Sequence, residues 1–161
     1  MLEFLLYPST VAVIGASRTE GKVGYSVVVN LIEGGFEGEI VPVNPSGGEL
    51  MGQKFYTSLE EYGKPIDMSV IAVPTAAVKG AVISSLQAKA KAVVVITAGF
   101  KEVDEEGARL EQEIVDLCQS AGARLMGPNC LGLINTHHKM NATFASHMPK
   151  AGRISVLSQS G

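Results

Sequence analysis

The stretch Val11-Ala12-Val13-Ile14-Gly15-Ala16-Ser17-Arg18-Thr19-Glu20-Gly21-Lys22-Val23-Gly24 changes its period partway along, and that change decides the fold. Val11 to Ile14 is a short apolar run rich in β-branched residues and closed by glycine, the pattern of a strand buried on both faces. Beyond the loop, Val23, Val27, Val28, Leu31 and Ile32 recur at helical spacing on one face. Gly34-Gly35 then stop the helix as a C-terminal cap does.

Outward from this stretch the alternation repeats. Ile40 to Val43, Met68 to Val73 and Val93 to Ile96 are further buried-strand runs. Thr75 is expected to cap a helix with the face Val78, Val82, Ile83 and Leu86. Asp104 opens another, with Glu105 and Glu106 in its positive first turn and Leu110, Ile114, Leu117, Cys118 and Ala121 on one face; Gly122 ends it. A short strand at Arg124 to Met126 leads into Gly127-Pro128-Asn129-Cys130, and Lys54 to Tyr56 reads as a weak edge strand before a short helix at Ser58 to Glu61. Strands and helices alternating in this way form right-handed βαβ crossovers. The expected fold is α/β: Rossmann-like and doubly wound, a mainly parallel sheet with helices on both faces. Pro42 lies inside the second run and cannot donate to a ladder, so that strand is expected to end early or bend there. Residues 135–150 lack a clear period and are expected to be irregular or to form a hairpin.

Composition sets the outer bounds. A chain of 161 residues holds one core with at most a fragment of another. Hydrophobic residues at 46% against 18% charged, with a mean hydropathy of +0.23, exclude a disordered tail. A net charge of −3 supplies no global field toward nucleic acid or an anionic membrane, so any bound anion must be held locally. Two cysteines, Cys118 and Cys130, cannot build a disulfide framework, and free thiols with no export signal suit a reducing cytoplasm. Apolar runs such as Ala92 to Ile96 fall far short of the ~20 residues that cross a bilayer.

Ligands of open α/β sheets bind outside the carboxyl ends of the strands, which makes Gly15 to Gly24 the first segment to read for chemistry. Small residues let the backbone approach an anion, the following helix presents its N-terminus, and Ser17, Arg18, Thr19 and Lys22 add hydroxyl and cationic partners. This is a phosphate cradle. A dinucleotide fingerprint needs glycine where Ser17 and Glu20 stand, and an acidic residue where the second strand runs into Val43-Asn44-Pro45-Ser46-Gly47-Gly48, so bound NAD is disfavoured. No G-x-x-x-x-G-K-[ST] loop is present. His137, His138 and His147 show no metal-ligand spacing, Cys130 has no base or cation beside it in sequence, and Glu102, Asp104, Glu105 and Glu106 are accounted for by a helix N-terminus. No catalytic residue and no metal site is assigned.

Six ordered motifs carry a resemblance that spans Thr10 to Gly161. Val13-Ile14-Gly15-Ala16-Ser17-Arg18, Gly21-Lys22-Val23-Gly24, Pro42-Val43-Asn44-Pro45, Ile71-Ala72-Val73-Pro74, Ile96-Thr97-Ala98-Gly99-Phe100 and Gly127-Pro128-Asn129-Cys130-Leu131-Gly132 resemble the CoA-binding domain of NDP-forming acyl-CoA synthetases. That family includes the ADP-forming acetate–CoA ligases and the succinyl-CoA synthetase α subunit. The resemblance implies that Gly15, Ser17, Arg18, Thr19 and Glu20, with Lys22, line the loop for CoA phosphates. It implies that Asn44, Pro45 and Ser46 flank the adenosine, that Val73 and Pro74 pack on the cofactor, that Thr97, Ala98 and Gly99 run beside pantetheine, and that Asn129 sits near the thiol end. Succinate-specific relatives carry an acidic residue where Ala98 stands, which turns the expectation toward acetate-type or broad-range ligases.

The resemblance further implies residues 1–150 as the CoA-binding domain and 151–161 as the first strand, Arg153 to Ser158, and opening loop of a second domain. In the whole enzyme an acid, CoA and ATP interconvert with acyl-CoA, ADP and phosphate. ATP or ADP and Mg, a phosphohistidine and an ATP-grasp module belong to further domains or a subunit, and the full enzyme is an oligomer. The fragment alone is not expected to catalyse the reaction. The alternative from a different class is a stand-alone or regulatory CoA-binding module, including the CoA-binding region of a fused protein acetyltransferase.

Overall fold

The computed structural model describes residues 2–159. In chain order the elements begin with helix α1 (Glu3–Leu6), strand β1 (Thr10–Ile14), α2 (Val23–Glu33), β2 (Glu39–Val43), β3 (Gly48–Leu50), β4 (Gln53–Phe55), α3 (Leu59–Tyr62) and β5 (Met68–Ile71). They continue with α4 (Thr75–Gln87), β6 (Ala92–Val95), α5 (Glu105–Ser120), β7 (Arg124–Met126), β8 (Gly132–Asn135), a 3-10 turn (Thr136–His138) and β9 (Met140–Thr143). The apolar runs form one five-stranded parallel sheet in the order β2-β1-β5-β6-β7. The chain moves from β1 to β2 on one side and returns to β5 on the other. The order therefore reverses between β1 and β5, where such sheets open a crevice.

Alternation along the strands splits the core into two layers. Ala12, Val41, Ile71, Val93 and Val95 face α3, α4 and α5, where Val78, Val82, Ile114 and Cys118 complete the layer. Val11, Val13, Met68, Val70 and Val94 face α2, with Val27, Val28 and Leu31. On that second face a hairpin stands where another helix would: β8 and β9 pair antiparallel, and Met140 and Ala142 of the wholly buried β9 join the α2 layer. The doubly wound reading holds; the second strand of this hairpin lies within residues 135–150, where an irregular stretch or a hairpin is expected, while its first strand, Gly132–Asn135, begins ahead of that segment.

Several local expectations are corrected. Pro42 neither ends nor bends β2, because β2 is an edge strand and Pro42 turns its backbone away from β1; its carbonyl accepts from the Tyr56 N–H at 2.9 Å, and the missing donor costs no sheet bond. Thr75 is not a cap. Pro74 holds the N-cap position of α4, and the Thr75 hydroxyl donates to the Ala98 carbonyl at 2.9 Å. On α4 Ile83 is exposed while Ala81 and Ser85 are buried, and Ala121, at the end of α5, is exposed while Ala123 is buried in its place. Asp104 does cap α5, accepting from the Gly107 N–H at 2.7 Å.

The strand expected at Arg153 to Ser158 does not form: residues 151–159 are exposed and join no strand among the described residues, and a strand exists only through a neighbour that completes its ladder. The loop expected at Ser158 to Gly161 lies partly outside the described residues. Among the described residues no helix is long and apolar enough to cross a membrane. Both cysteines are free, and burial pushes the Cys118 thiol up to about 11.

Candidate functional site

The turn after β1 is built on two glycines. Gly15 takes a positive φ of 90°, and a Cβ there would overlap the Ala72 carbonyl, so the turn can close over the end of β5 only with glycine. A Cβ on Gly24 would overlap the Gly15 carbonyl, which lets the first turn of α2 press against the loop. Lys22 is the N-cap of α2 and no side chain caps it, in contrast to α3 and α5, which Ser58 and Asp104 close. The Tyr25 N–H turns back to the Lys22 carbonyl at 3.0 Å, while the Val23 and Gly24 amides, without a partner among the described residues, remain available to an anion.

Beside this turn lies a polar pocket of about 200 Å³ lined by Ser17, Arg18, Thr19, Asn44, Ser46, Gly47 and Phe55. Ser17 accepts from the Thr19 N–H at 3.0 Å, which folds the loop back on itself. Asn44 is a strut: its amide donates to the Ala16 carbonyl at 2.7 Å, and its oxygen accepts from the Ser46 N–H at 2.8 Å. Arg18 lies over Gly48, where a Cβ would come within 2.9 Å of its Nε.

A wider, mostly apolar pocket of about 570 Å³ opens past the same end of α2, lined by Val23, Ala72, Val73, Ile96, Thr97, Ala98, Asn129, Cys130, Leu131 and Phe144. Its floor is the loop after β6, held from three directions. The Thr97 hydroxyl donates to the Val73 carbonyl at 2.7 Å, Thr75 holds the Ala98 carbonyl, and the Gly99 N–H donates to Glu102 at 2.6 Å. The last bond holds the Glu102 carboxyl below its ordinary value. Asn129, in the left-handed region at φ 55°, donates its N–H to the Thr97 carbonyl at 2.9 Å and so ties the segment after β7 to the same floor.

Of the residues the sequence pointed to, Ser17, Arg18, Thr19, Asn44 and Ser46 gather at the polar pocket, and Val73, Thr97, Ala98 and Asn129 at the apolar one. Gly15, Glu20, Lys22, Pro45, Pro74 and Gly99 line neither; Gly15 and Gly99 shape the loops, and Glu20, Lys22, Pro45 and Pro74 are exposed around them. Sequence reasoning missed Gly47 and Phe55 at the polar pocket and Val23, Ala72, Ile96, Leu131 and Phe144 at the apolar one. Leu131 was within reach, since it stands inside the Gly127-Pro128-Asn129-Cys130-Leu131-Gly132 motif. Phe144 had no local signal.

The reactive side chains are otherwise engaged. The Cys130 S–H donates to the Val95 carbonyl at 3.3 Å, and burial pushes that thiol up, so it stands protonated rather than as a nucleophile. His138 lies 2.8 Å from the Pro8 carbonyl with its ring edge-on to Tyr7 and Phe36, His137 faces the Gly152 carbonyl, and His147 meets Ser146. None of the three lines either pocket. Among the described residues no group of three or more His, Cys, Asp or Glu could hold a metal ion.

The chain is 46% identical over 160 residues to ADP-forming acetate–CoA ligase I of Archaeoglobus fulgidus, a match covering 99% of this chain and 23% of that protein. It is 44% identical over 164 residues to the α subunit of ADP-forming acetate–CoA ligase I of Pyrococcus furiosus, covering 99% of this chain and 36% of the subunit. The chain thus spans about a quarter to a third of the length of these relatives. The solved structure of the dinucleotide forming acetyl-coenzyme A synthetase 1 of Ca. Korarchaeum cryptofilum, in complex with phosphate and ADP, superposes with a TM-score of 0.85 at 41% identity, over 89% of this chain and 31% of that one. A family model described as a CoA binding domain matches residues 9–136, the span that contains the sheet, the turn after β1 and nearly all of both pockets, and the chain therefore belongs to the CoA binding domain family.

Proposed function

We propose that the two pockets are halves of one CoA site. The phosphate-bearing adenosine half lies at the polar pocket, against Ser17, Arg18 and Thr19 and the uncapped end of α2, with Ser46 beside it. The pantetheine arm lies in the apolar pocket, between Val73 and the Thr97-Ala98 floor, with Asn129 toward the thiol. One observation carries the reading: a polar pocket with an arginine and a larger apolar pocket flank the N-terminal end of one helix, at the strand ends beside the switch point. A ligand with a charged head and a long, mostly apolar arm suits such a pair. Calorimetric titration with CoA, dephospho-CoA and NAD tests it. CoA should bind tightest, and NAD binding as tightly would overturn the assignment.

The relatives' activities support a larger reaction in which this chain is the CoA-binding part of an ADP-forming acyl-CoA synthetase, joining an acid to CoA with ATP and releasing ADP and phosphate. Ala98 at the pocket floor, with no acidic side chain there, favours an acetate-type or broad-range acid. We assign the ATP or ADP and magnesium of that reaction, with the phosphorylated histidine, to further domains or a subunit; among the described residues no group of three or more His, Cys, Asp or Glu gathers to hold a metal ion. Full exposure of residues 151–159 supports the reading of 151–161 as the opening of such a domain after a CoA-binding unit of residues 1–150. An oligomeric whole enzyme and a cytoplasmic location complete the proposal; two free thiols are in keeping with the latter.

A further inference from the structure

Phe144 is a large apolar side chain left 43% exposed at the wall of the wider pocket, and the structure works to keep it there. The strand before it, β9, is buried along all four residues against the α2 layer. From α2 itself, the Asn30 side-chain amide donates one hydrogen to the Thr143 carbonyl and the other to the Ala145 carbonyl, both at 2.8 Å. One amide thus grips the chain on either side of Phe144. The Ala145 N–H donates to the Thr143 hydroxyl at 3.0 Å, and that hydroxyl donates to Asn141 at 2.6 Å, so the turn outward from β9 is fixed from within as well. Around the same pocket Val23 is 38% and Leu131 52% exposed. Three apolar side chains kept in solvent around one pocket are accounted for by a slender apolar ligand segment that covers them. The polar pocket shares no lining residue with this one.

We propose that Phe144 is a specificity-determining wall for the pantetheine arm, and that Asn30, which lines neither pocket, is its positioning residue. The proposal rests on the CoA reading above and adds a division of labour: Phe144 discriminates by the arm and not by the phosphates. The test is calorimetry on the 161-residue chain with two ligands, CoA and 3′-phospho-ADP, the latter being CoA cut free of its pantetheine. Phe144→Ala should weaken CoA by about tenfold while 3′-phospho-ADP changes by less than about twofold, the loss that uncovering part of an aromatic ring produces. Phe144→Leu should keep most of the CoA affinity. Asn30→Ala should reproduce the same split between the ligands and add nothing further when combined with Phe144→Ala, an outcome that general damage to the fold would not give. Unchanged CoA affinity in Phe144→Ala, as expected if the ring faces another protein surface, overturns the proposal. So does an equal loss of both ligands. Failure of the unaltered chain to bind either ligand overturns the CoA reading itself and the proposal with it.

Discussion

Arg18 and Lys22 are the two cations of the turn after β1, yet only Arg18 reaches the polar pocket. Arg18→Ala should therefore weaken CoA by about 1.5–3 kcal/mol, the range of a charged hydrogen bond, and Lys22→Ala by clearly less. Calorimetry on the two variants checks this, and equal losses would contradict the placement. Ser69 makes a different case: its hydroxyl is buried in β5 with no hydrogen-bond partner among the described residues. Ser69→Ala removes an unsatisfied polar group and should raise stability by about 1 kcal/mol, read by denaturant unfolding. At Glu102 the carboxyl lies below its ordinary 4.5 because the Gly99 N–H donates to it. A carboxyl lowered on folding favours the folded state above its ordinary value, and that contribution is lost as pH falls from there through the folded value. Thermal melts of the unaltered chain and Glu102→Gln should differ at neutral pH and converge below pH 4.5; a difference that persists at low pH would show that the bond to Gly99 is not its source.

Among the elements, α2 has the most to do. Its first turn presses on the Gly15 carbonyl, its open end faces the polar pocket, Val23 walls the apolar one, and Asn30 holds the hairpin. Gly24→Ala should force this helix off the loop, costing about 1–3 kcal/mol of stability by overpacking and weakening CoA as well. Chemical unfolding and calorimetry on one preparation test both effects, and an Ala variant of full stability would contradict the close approach. The strands were legible because the runs Val11 to Ile14, Met68 to Val73 and Val93 to Ile96 are mostly apolar, rich in β-branched residues and followed by turn residues. Pro42 was misread because edge position is a property of the assembled sheet. Thr75 was misread because its hydroxyl takes a partner 23 residues away in preference to the local cap.

For the whole molecule, the same division explains how much of the site could be read from the sequence. Ser17 to Thr19, Asn44, Thr97 and Asn129 were legible because each lies in a loop that leaves the carboxyl end of a strand, and those ends converge on one edge of a parallel sheet. Which loop residues turn inward was not legible, as Glu20 and Pro45 show, and Phe144 depends on a contact between residues 113 apart in the chain. The chain as a whole is expected to bind without turnover: mixed with ATP, magnesium, acetate and CoA it should form no acetyl-CoA, since His137, His138 and His147 lie away from both pockets. Sustained product, or phosphate retained on one of those histidines, would make it a catalyst in its own right. The most direct test of the central claim, that one CoA molecule spans both pockets, is an NMR titration of the isotope-labelled chain with CoA. The account predicts saturable shifts of the amides of Ser17 to Thr19 and Gly47 together with those of Thr97, Ala98, Asn129 and Leu131. Shifts confined to one pocket, or gathered at the opposite edge of the sheet around α1, would contradict it.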